Sequence, residues 1–459
     1  MIKVTMIGAG SMVFSRNLTG DILSYPEFKN ATICYMDIDS QRLAAAEAWG
    51  RRVAAGLNAN PKFQATTNLA EALHGADAVI VMVQVGGFGS TLLDFEIPRK
   101  YGLEFTIADT TGPGGIFRAL RTYGALTELC RSMQQHCPAA LLLNYSNPMS
   151  MNMSVIADEG ITQAVGLCHS VQATADRLTE YLGLNPGTLT FQCAGINHMA
   201  GFIRLEHRGQ NLYPRLFQCA ENPEIVRRDP VRFELFRRLG YFMTESSEHH
   251  AEYNPWFIPH GQERIRQFDI PIDEYLRRCD LSNDEFASLL RSAGDQSPVA
   301  HHKTTEYGSK VIHAFFCGGP EVVYGNMPNH GAISNLAPDA IVETPTLVDR
   351  GMLQLTCVGN LPLPLVAYVQ PHICGHQLFM AAVKTGCREY VYQACLFDPL
   401  TAAVLTPDQI VDLCDELIAA HGPHIPPLKA GFPMRGTGRQ MTPPSAADLL
   451  QARSHKMKK

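Results

Sequence analysis

The sequence predicts an α/β chain built on a doubly wound parallel sheet, with a second, mixed α/β and helical part behind it. Three observations predict it. Apolar runs of strand length alternate with helical stretches through the first 150 residues. Those runs end in glycine or polar residues, where open α/β sheets bind their ligands. The composition, 46% apolar and 18% charged over 459 residues, is that of a globular chain long enough for two or three lobes.

In order, IKVTMIG (2–8) is a short apolar run closing on glycine, hence a buried strand, and MVFSRNLTGDILSY (12–25) has helical spacing. ATICYMDID (31–39) is a second strand ending in acid, and QRLAAAEAWGRRVAAGL (41–57) is an alanine-rich amphipathic helix. ADAVIVMVQVGG (76–87) is a third strand running into glycines, and AALLLNYSNP (139–148) a later one. Beyond them, PEIVRRDPVRFELFRRLGYF (223–242) and LTPDQIVDLCDELIAAHG (405–422) have amphipathic helical spacing, suited to cover the sheet or build a subunit interface. The Pro-, Gly- and base-rich tail over 426–459 is expected to be partly extended or disordered.

A net charge of −6 points to neither nucleic acid nor a membrane surface as partner. No apolar run approaches the roughly 20 residues that span a bilayer. Met1 runs straight into the first strand, so no secretory signal is expected. The 13 scattered cysteines fit free thiols in a reducing cytoplasm.

MIGAGSMVF places Gly8 and Gly10 directly after the first strand. Gly8 permits the tight turn, and Gly10 lets the backbone approach a pyrophosphate at the helix N-terminus. Val13 occupies the place of the third glycine of the full Rossmann fingerprint. Asp37, ending the second strand, is suited to accept hydrogen bonds from the ribose hydroxyls of NAD and to repel the extra phosphate of NADP. Its distance from Gly8 exceeds the usual ~20 residues because the intervening helix and loop are long. Asn147, in NYSNPMS, is either a turn-former or, as in lactate- and malate-type dehydrogenases, a neighbour of the nicotinamide.

Cys168 follows the apolar AVGL and precedes the helical VQATADRLTEYL. A thiol at a helix N-terminus is expected to have a lowered pKa and good metal affinity. His198, in AGINHMA, follows another strand-like run. The two are either unrelated core residues or half of a metal site that leaves positions open for substrate, since a structural zinc takes four protein ligands. His169 is an acid/base candidate or a core histidine.

The combined order of GAGS (8–11), MDID (36–39), IADTTGPGGIFRALRT (107–122), NYSNPM (144–149), GLCHS (166–170), GINHM (195–199), LGYFMTESSEHHAEY (239–253) and VYGN (323–326) resembles glycoside hydrolase family 4, the NAD- and metal-dependent glycosidases. The resemblance covers roughly residues 1–420, and the Cys-His-Ser triplet with TESSEH is most similar to its melibiase, or α-galactosidase, branch. It implies a lactate/malate dehydrogenase-like Rossmann fold and a redox-assisted elimination. The sugar is oxidised at C3 by NAD, a base removes the C2 proton, the C1 group leaves, water adds, and the ketone is reduced again. A divalent ion, manganese in most of the family, is chelated by sugar O2 and O3 and stabilises the enediolate.

By the same resemblance Gly8, Gly10, Ser11 and Asp37 hold NAD, and Cys168 and His198 hold the ion. Asn147 touches the nicotinamide or the sugar. Asp109 bonds sugar hydroxyls or caps the next helix, and Arg118 pairs with Asp109 or solvates that helix. His169 assists the leaving group. Glu245, Glu248, His249 and Tyr253 compete for the C2 base. One departure stands out: the residue before Glu306-Tyr307, an arginine in melibiase-like chains, is Thr305, with Lys303 or His302 as replacements.

The expected division is an NAD-binding unit to residue 195, a catalytic, substrate and oligomerisation unit over 196–425, and the tail. The expected assembly is a homo-oligomer, dimer or tetramer, acting on a small-molecule glycoside. α-Glucosides, α-galacturonides and 6-phospho-glycosides are the alternative substrates. A 2-hydroxyacid dehydrogenase or a non-catalytic NAD sensor are the alternatives of another class.

Overall fold

The computed structural model of the chain describes all residues except 293, 296, 439–441, 458 and 459. Six parallel strands open the fold: β1 (Lys3–Ile7), β2 (Thr32–Met36), β3 (Lys62–Thr66), β4 (Ala78–Val81), β5 (Leu141–Asn144) and β6 (Ala164–Leu167). They lie in the order β3-β2-β1-β4-β5-β6, the doubly wound Rossmann arrangement, with the strand order reversing between β1 and β4. All four residues of β4, β5 and β6 are buried, as strands covered on both faces must be. That double burial is why they read in the sequence as continuous apolar runs.

β3 has no counterpart among the predicted strands. It is an edge strand, KFQAT, with no fully buried residue, so its pattern carries no apolar run.

Between β6 and the rest of the main sheet, the chain forms a small antiparallel sheet of β7 (Thr190–Ala194), β8 (Gly201–His207) and β9 (Gln210–Asn211). It then returns. β10 (Glu321–Pro328) pairs antiparallel with β6, and β11 (Ile341–Asp349) and β12 (Met352–Leu355) extend the same sheet to nine strands. The main sheet therefore draws strands from both sides of residue 195.

The helices Met12–Leu23 and Ser40–Gly56 stand where the sequence places them. The second is capped by Asp39, whose carboxylate accepts from the Gln41 and Arg42 amides. The stretch over 223–242 is two helices, Pro223–Arg227 and Pro230–Leu239, because Pro230 cannot continue the first. Pro407–His421 begins with a capping box between Thr406 and Gln409. The tail, expected to be partly extended, also holds a helix, Ala446–Met457. Ala446 and Leu450 close against Gly89, where a Cβ would come within 3.1 Å and 3.2 Å of them, and Arg453 pairs with Asp280.

The catalytic-side helices are tied to the sheet by buried charge. Arg121, on the helix Gly112–His136, forms a two-pronged ion pair with Asp94 and donates to the Val85 carbonyl beyond β4. His421 lies 3.0 Å from the same aspartate. Among the described residues no helix is long and apolar enough to cross a membrane.

Candidate active site

The crevice at the carboxyl ends of β1 and β4 begins with backbone. Gly8 (φ +83°) turns the chain so that its own amide and that of Ala9 donate to the Met36 carbonyl at 2.9 and 3.0 Å. A Cβ on Gly8 would lie 2.6 Å from the Met82 carbonyl oxygen, and one on Gly10 would lie 2.6 Å from the Asp37 carboxylate. Neither position has room for a side chain. The Gly10 amide donates to Asp37 Oδ2 at 2.7 Å, and the Asp39 amide to Oδ1 at 3.0 Å. Asp37 is thereby aimed across the turn. Ser11 precedes the helix Met12–Leu23 and its side chain does not cap it, leaving the first amides to an anion.

The second half of the site is made of side chains from four distant segments. Cys168 directly follows β6, and its Sγ lies 3.5 Å from His198 Nε2. His198 sits in the turn Ile196–Met199, at φ +67°, a conformation rare for a non-glycine residue and held by its surroundings. That turn is pinned to β11, where Gly195 and Glu343 exchange backbone hydrogen bonds of 3.2 and 2.9 Å. The other ring nitrogen of His198, Nδ1, lies 2.9 Å from Thr110 Oγ1 and 3.1 Å from the Tyr253 hydroxyl. A proton on Nδ1 leaves Nε2 free as a ligand facing the thiol.

Glu245, also in the left-handed region at φ +69°, completes one group with Cys168 and His198. Asp109, His198 and His249 form another, and in each group the ligand atoms lie within 4.8 Å of one another. Burial opposes ionisation of Glu245, but His249, His198 and His169 outweigh it and hold the carboxyl at about 2. His249 is buried on the helix Ser247–Glu252, with Nδ1 2.9 Å from Ser246 Oγ and 3.1 Å from Glu245 Oε1. Its Nε2 lies 4.0 Å from Asp109 Oδ1. Burial lowers its pKa although Glu245 pulls the other way.

The expectation of a depressed pKa at Cys168 is overturned. The helix starts only at Ser170, and burial pushes the thiol up to about 11. Without a cation beside it, Cys168 is a thiol.

Asp109 is buried, receives hydrogen bonds from Thr110 Oγ1 at 2.7 Å and Asn147 Nδ2 at 3.0 Å, and does not cap the following helix, whose cap residue is Thr111. Arg118 neither pairs with Asp109 nor solvates its helix. It is 8% exposed and donates to the Tyr275 hydroxyl at 3.1 Å. His169 is half-exposed, and Glu306, 3.6 Å away, raises its pKa to about 9.

Glu248 stands apart from the cluster, 3.9 Å from Arg278. Tyr253 is buried on His198 and its pKa is pushed far up by burial. Lys303 does not replace the missing arginine, since its ammonium lies over the Tyr25 ring at 3.9 Å.

Four residues here were not among the sequence candidates. Glu306 partners His169. Glu252 accepts from the amides of Thr106, Ile107 and Ala108, fixing the loop that presents Asp109. Glu343 lies buried beneath His198, and Tyr275 contacts Arg118. Glu252 stands inside the TESSEHHAEY segment and Glu306 in TTEY, but nothing in either local pattern separates these glutamates from surface ones.

The profile of the Family 4 glycosyl hydrolase family matches residues 3–184, and that of the Family 4 glycosyl hydrolase C-terminal domain matches 193–401. The chain is 38% identical to an α-galactosidase of Bacillus subtilis (strain 168) over 432 residues, covering 94% of this chain and 100% of the relative. It is 30% identical to an α-galactosidase of Rhizobium meliloti (strain 1021) over 437 residues, or 92% and 89% of the two chains. Among solved structures, a 6-phospho-α-glucosidase from gut microorganisms, in complex with NAD and Mn2+, has the same fold at a TM-score of 0.78 and 19% identity, over 93% of this chain and 100% of that one.

Proposed function

The chain belongs to the family 4 glycosyl hydrolases, and from that premise we propose that it hydrolyses α-galactosides with NAD and a divalent cation, manganese, as cofactors. The observation that carries the reading is the Cys168–His198 approach of 3.5 Å, at the carboxyl end of β6, in the crevice that the Gly8–Gly10 turn opens. Both α-galactosidase relatives support the sugar, and the solved relative holding NAD and Mn2+ supports the cofactors.

The residues present fit both groups. The turn at Gly8 and Gly10 has space for backbone alone, and Asp37 faces it. One thiol, one imidazole and one carboxylate make a donor set that leaves coordination positions open. When bound, NAD would supply a hydride acceptor and the ion positive charge to stabilise negative charge developing on the sugar.

The chain's own residues do the rest. Asp109 and Asn147 hold sugar hydroxyls and are themselves held by the Thr110 and Asn147–Asp109 hydrogen bonds. His249 takes the C2 proton at Nε2, with Glu245 orienting the ring by accepting from Nδ1. Tyr253 fixes the tautomer of His198 and is a positioning residue. His169, kept protonated by Glu306, gives a proton to the leaving oxygen.

Residues 1–195 form the dinucleotide unit of this reading, 196–425 the catalytic and oligomerisation unit, and the enzyme works in the cytoplasm as a homo-oligomer. The free state of all 13 cysteines supports that compartment. The test is hydrolysis of p-nitrophenyl α-galactoside by the reduced protein, with and without NAD and Mn2+. Cleavage that needs both, with no lasting NADH, is the expected result. Cleavage independent of NAD, or none with both present, overturns the reading.

A further inference from the structure

A buried guanidinium normally faces a carboxylate, because an unpaired charge costs several kcal/mol to bury. Arg121 obeys this rule against Asp94, and Arg232 against Asp229. Arg118 does not. It too is buried, at 8% exposure, yet no acidic group forms an ion pair with it among the described residues, and its one hydrogen bond goes to the neutral Tyr275 hydroxyl. Of its five N–H donors, four are left over.

The position of the leftover donors matters. Arg118 is on the first turns of the helix Gly112–His136, just past Asp109, and it is the strongest positive influence on that carboxylate. Asp109 acts on the arginine through space only: its oxygens accept from Thr110 and Asn147, and neither accepts from the guanidinium. Tyr275 is fixed in turn: its amide donates to the Thr106 carbonyl and that of Asp273 to the Phe105 carbonyl, both at 2.9 Å, which ties its helix to the loop leading to Asp109. The guanidinium is thus held rigid, stacked 5.4 Å from the Tyr275 ring. A planar, pre-ordered fork of donors suits a pair of neighbouring oxygens.

We propose that Arg118, held by Tyr275, is the specificity-determining residue for the edge of the sugar opposite the metal-chelating O2 and O3, donating to the hydroxyls on C4 and C6. This rests on the α-galactosidase reading above. On that reading Cys168 and His198 would hold the O2/O3 edge, Asp109 stands within 4.8 Å of His198, and Arg118 acts on Asp109 from the helix that follows it. The sugar ring spans that order from one edge to the other. C4 is the centre at which galactose differs from glucose, so a donor there selects between the two.

The test is a cycle between protein and substrate. Wild type and Arg118→Met are compared on p-nitrophenyl α-galactoside and on its 4-deoxy and 6-deoxy analogues. In the wild type, loss of at least one hydroxyl lowers kcat/KM about 10- to 100-fold, the effect of one charge-assisted hydrogen bond. In Arg118→Met the parent galactoside falls by a similar factor, and the deoxy penalty shrinks to about threefold or less. NAD affinity is the control for folding. Should Arg118→Met fail to bind NAD, Arg118→Lys, which keeps the charge and loses the fork, carries the same comparison. A deoxy penalty unchanged in the variant, or absent in the wild type, overturns the proposal. A wild type that does not cleave the parent galactoside overturns the functional reading instead, so the two failures are distinct.

Discussion

At one end of the crevice the chain offers backbone, and at the other it offers side chains. The nucleotide end is the turn Gly8–Gly10 closed by Asp37, all within one strand-helix-strand unit. The sugar end gathers Asp109, Cys168, His198 and the segment 245–253, each brought in by a different part of the fold. The first works by being empty of Cβ atoms. The second works by crowding titratable groups into a buried volume, with two non-glycine residues, His198 and Glu245, at positive φ. The difference teaches where each end is vulnerable. The nucleotide end fails by steric filling, and the sugar end fails by loss of a single ligand or proton site.

The largest effect expected is therefore at Cys168. Cys168→Ser replaces a soft anionic ligand with a hydroxyl that does not ionise at neutral pH, and activity should fall by about a thousandfold or more, as it does for groups acting on the developing charge. NAD affinity, set at the other end, should stay within about twofold. Activity near wild type would remove the metal role of the thiol. A parallel loss of NAD binding would break the separation of the two ends. Because the thiol sits at about 11 without an ion, metal binding releases its proton, and affinity for Mn2+ should rise more steeply with pH in the wild type than in the variant, which keeps only the imidazole and carboxylate ligands.

Next come the proton-moving candidates. His249→Gln should reduce turnover about 100- to 10,000-fold and abolish exchange of a C2 deuteron with solvent. Tyr253→Phe, which removes only the hydroxyl on His198, should cost less and preserve the exchange. Retention of exchange in His249→Gln together with its loss in Tyr253→Phe would move the base from the histidine to the tyrosine.

At the nucleotide end the effect is smaller and of another kind. Asp37→Ala removes an acceptor for the ribose and the anchor of the Gly10 amide, so the Kd for NAD should rise about 10- to 100-fold. Turnover at saturating NAD should be nearly preserved, measured as kcat against KM for NAD. Unchanged affinity would sink the ribose assignment.

The same contrast governs what could be read in advance. The strands β1, β2, β4 and β5, the helices after β1 and β2, and the glycine turn are local patterns, and each appears in the sequence as an apolar run or a spacing. β3 escaped because an exposed edge strand has no apolar signature. Cys168 and His198 stood out as a pair only through the motif order, since nothing local says that residues 30 apart will meet at 3.5 Å. Glu343 and Tyr275 have no signal at all, and Glu306 only its place in the Glu-Tyr pair: they reach the site from β11, from a helix beyond residue 270 and from the segment before the helix Gly308–Cys317, and only the fold sets them there. The pKa of Cys168 departs from the local expectation for a related reason. The helix N-terminus is a local feature, but burial by the whole fold outweighs it.

The smallest effect tests how the crowded end is stabilised. Glu343 is fully buried under the turn that carries His198, accepts from Asn326 Nδ2 at 3.3 Å, and has its second oxygen without a partner. Asn326 also donates to the Gly166 carbonyl on β6, two residues before Cys168, so the pair braces both metal-ligand segments. Burial raises its pKa from 4.5 to about 7, although His198 lowers it in part. Below the unfolded value the carboxyl is protonated in both states and burial carries no charge penalty. As pH climbs from about 4.5 to 7 the unfolded chain gives up the proton and the folded one keeps it, so stability is lost across that window and is level above it. The loss amounts to about 3 kcal/mol. Glu343→Gln, which is neutral throughout, should lack it, so that urea unfolding at pH 5 and pH 8 shows the variant gaining on the metal-free wild type by that order. An identical pH dependence in the two proteins would mean that Glu343 is ionised in the folded state, and it would then share the burden of buried charge at the sugar end with Glu245 and Asp109.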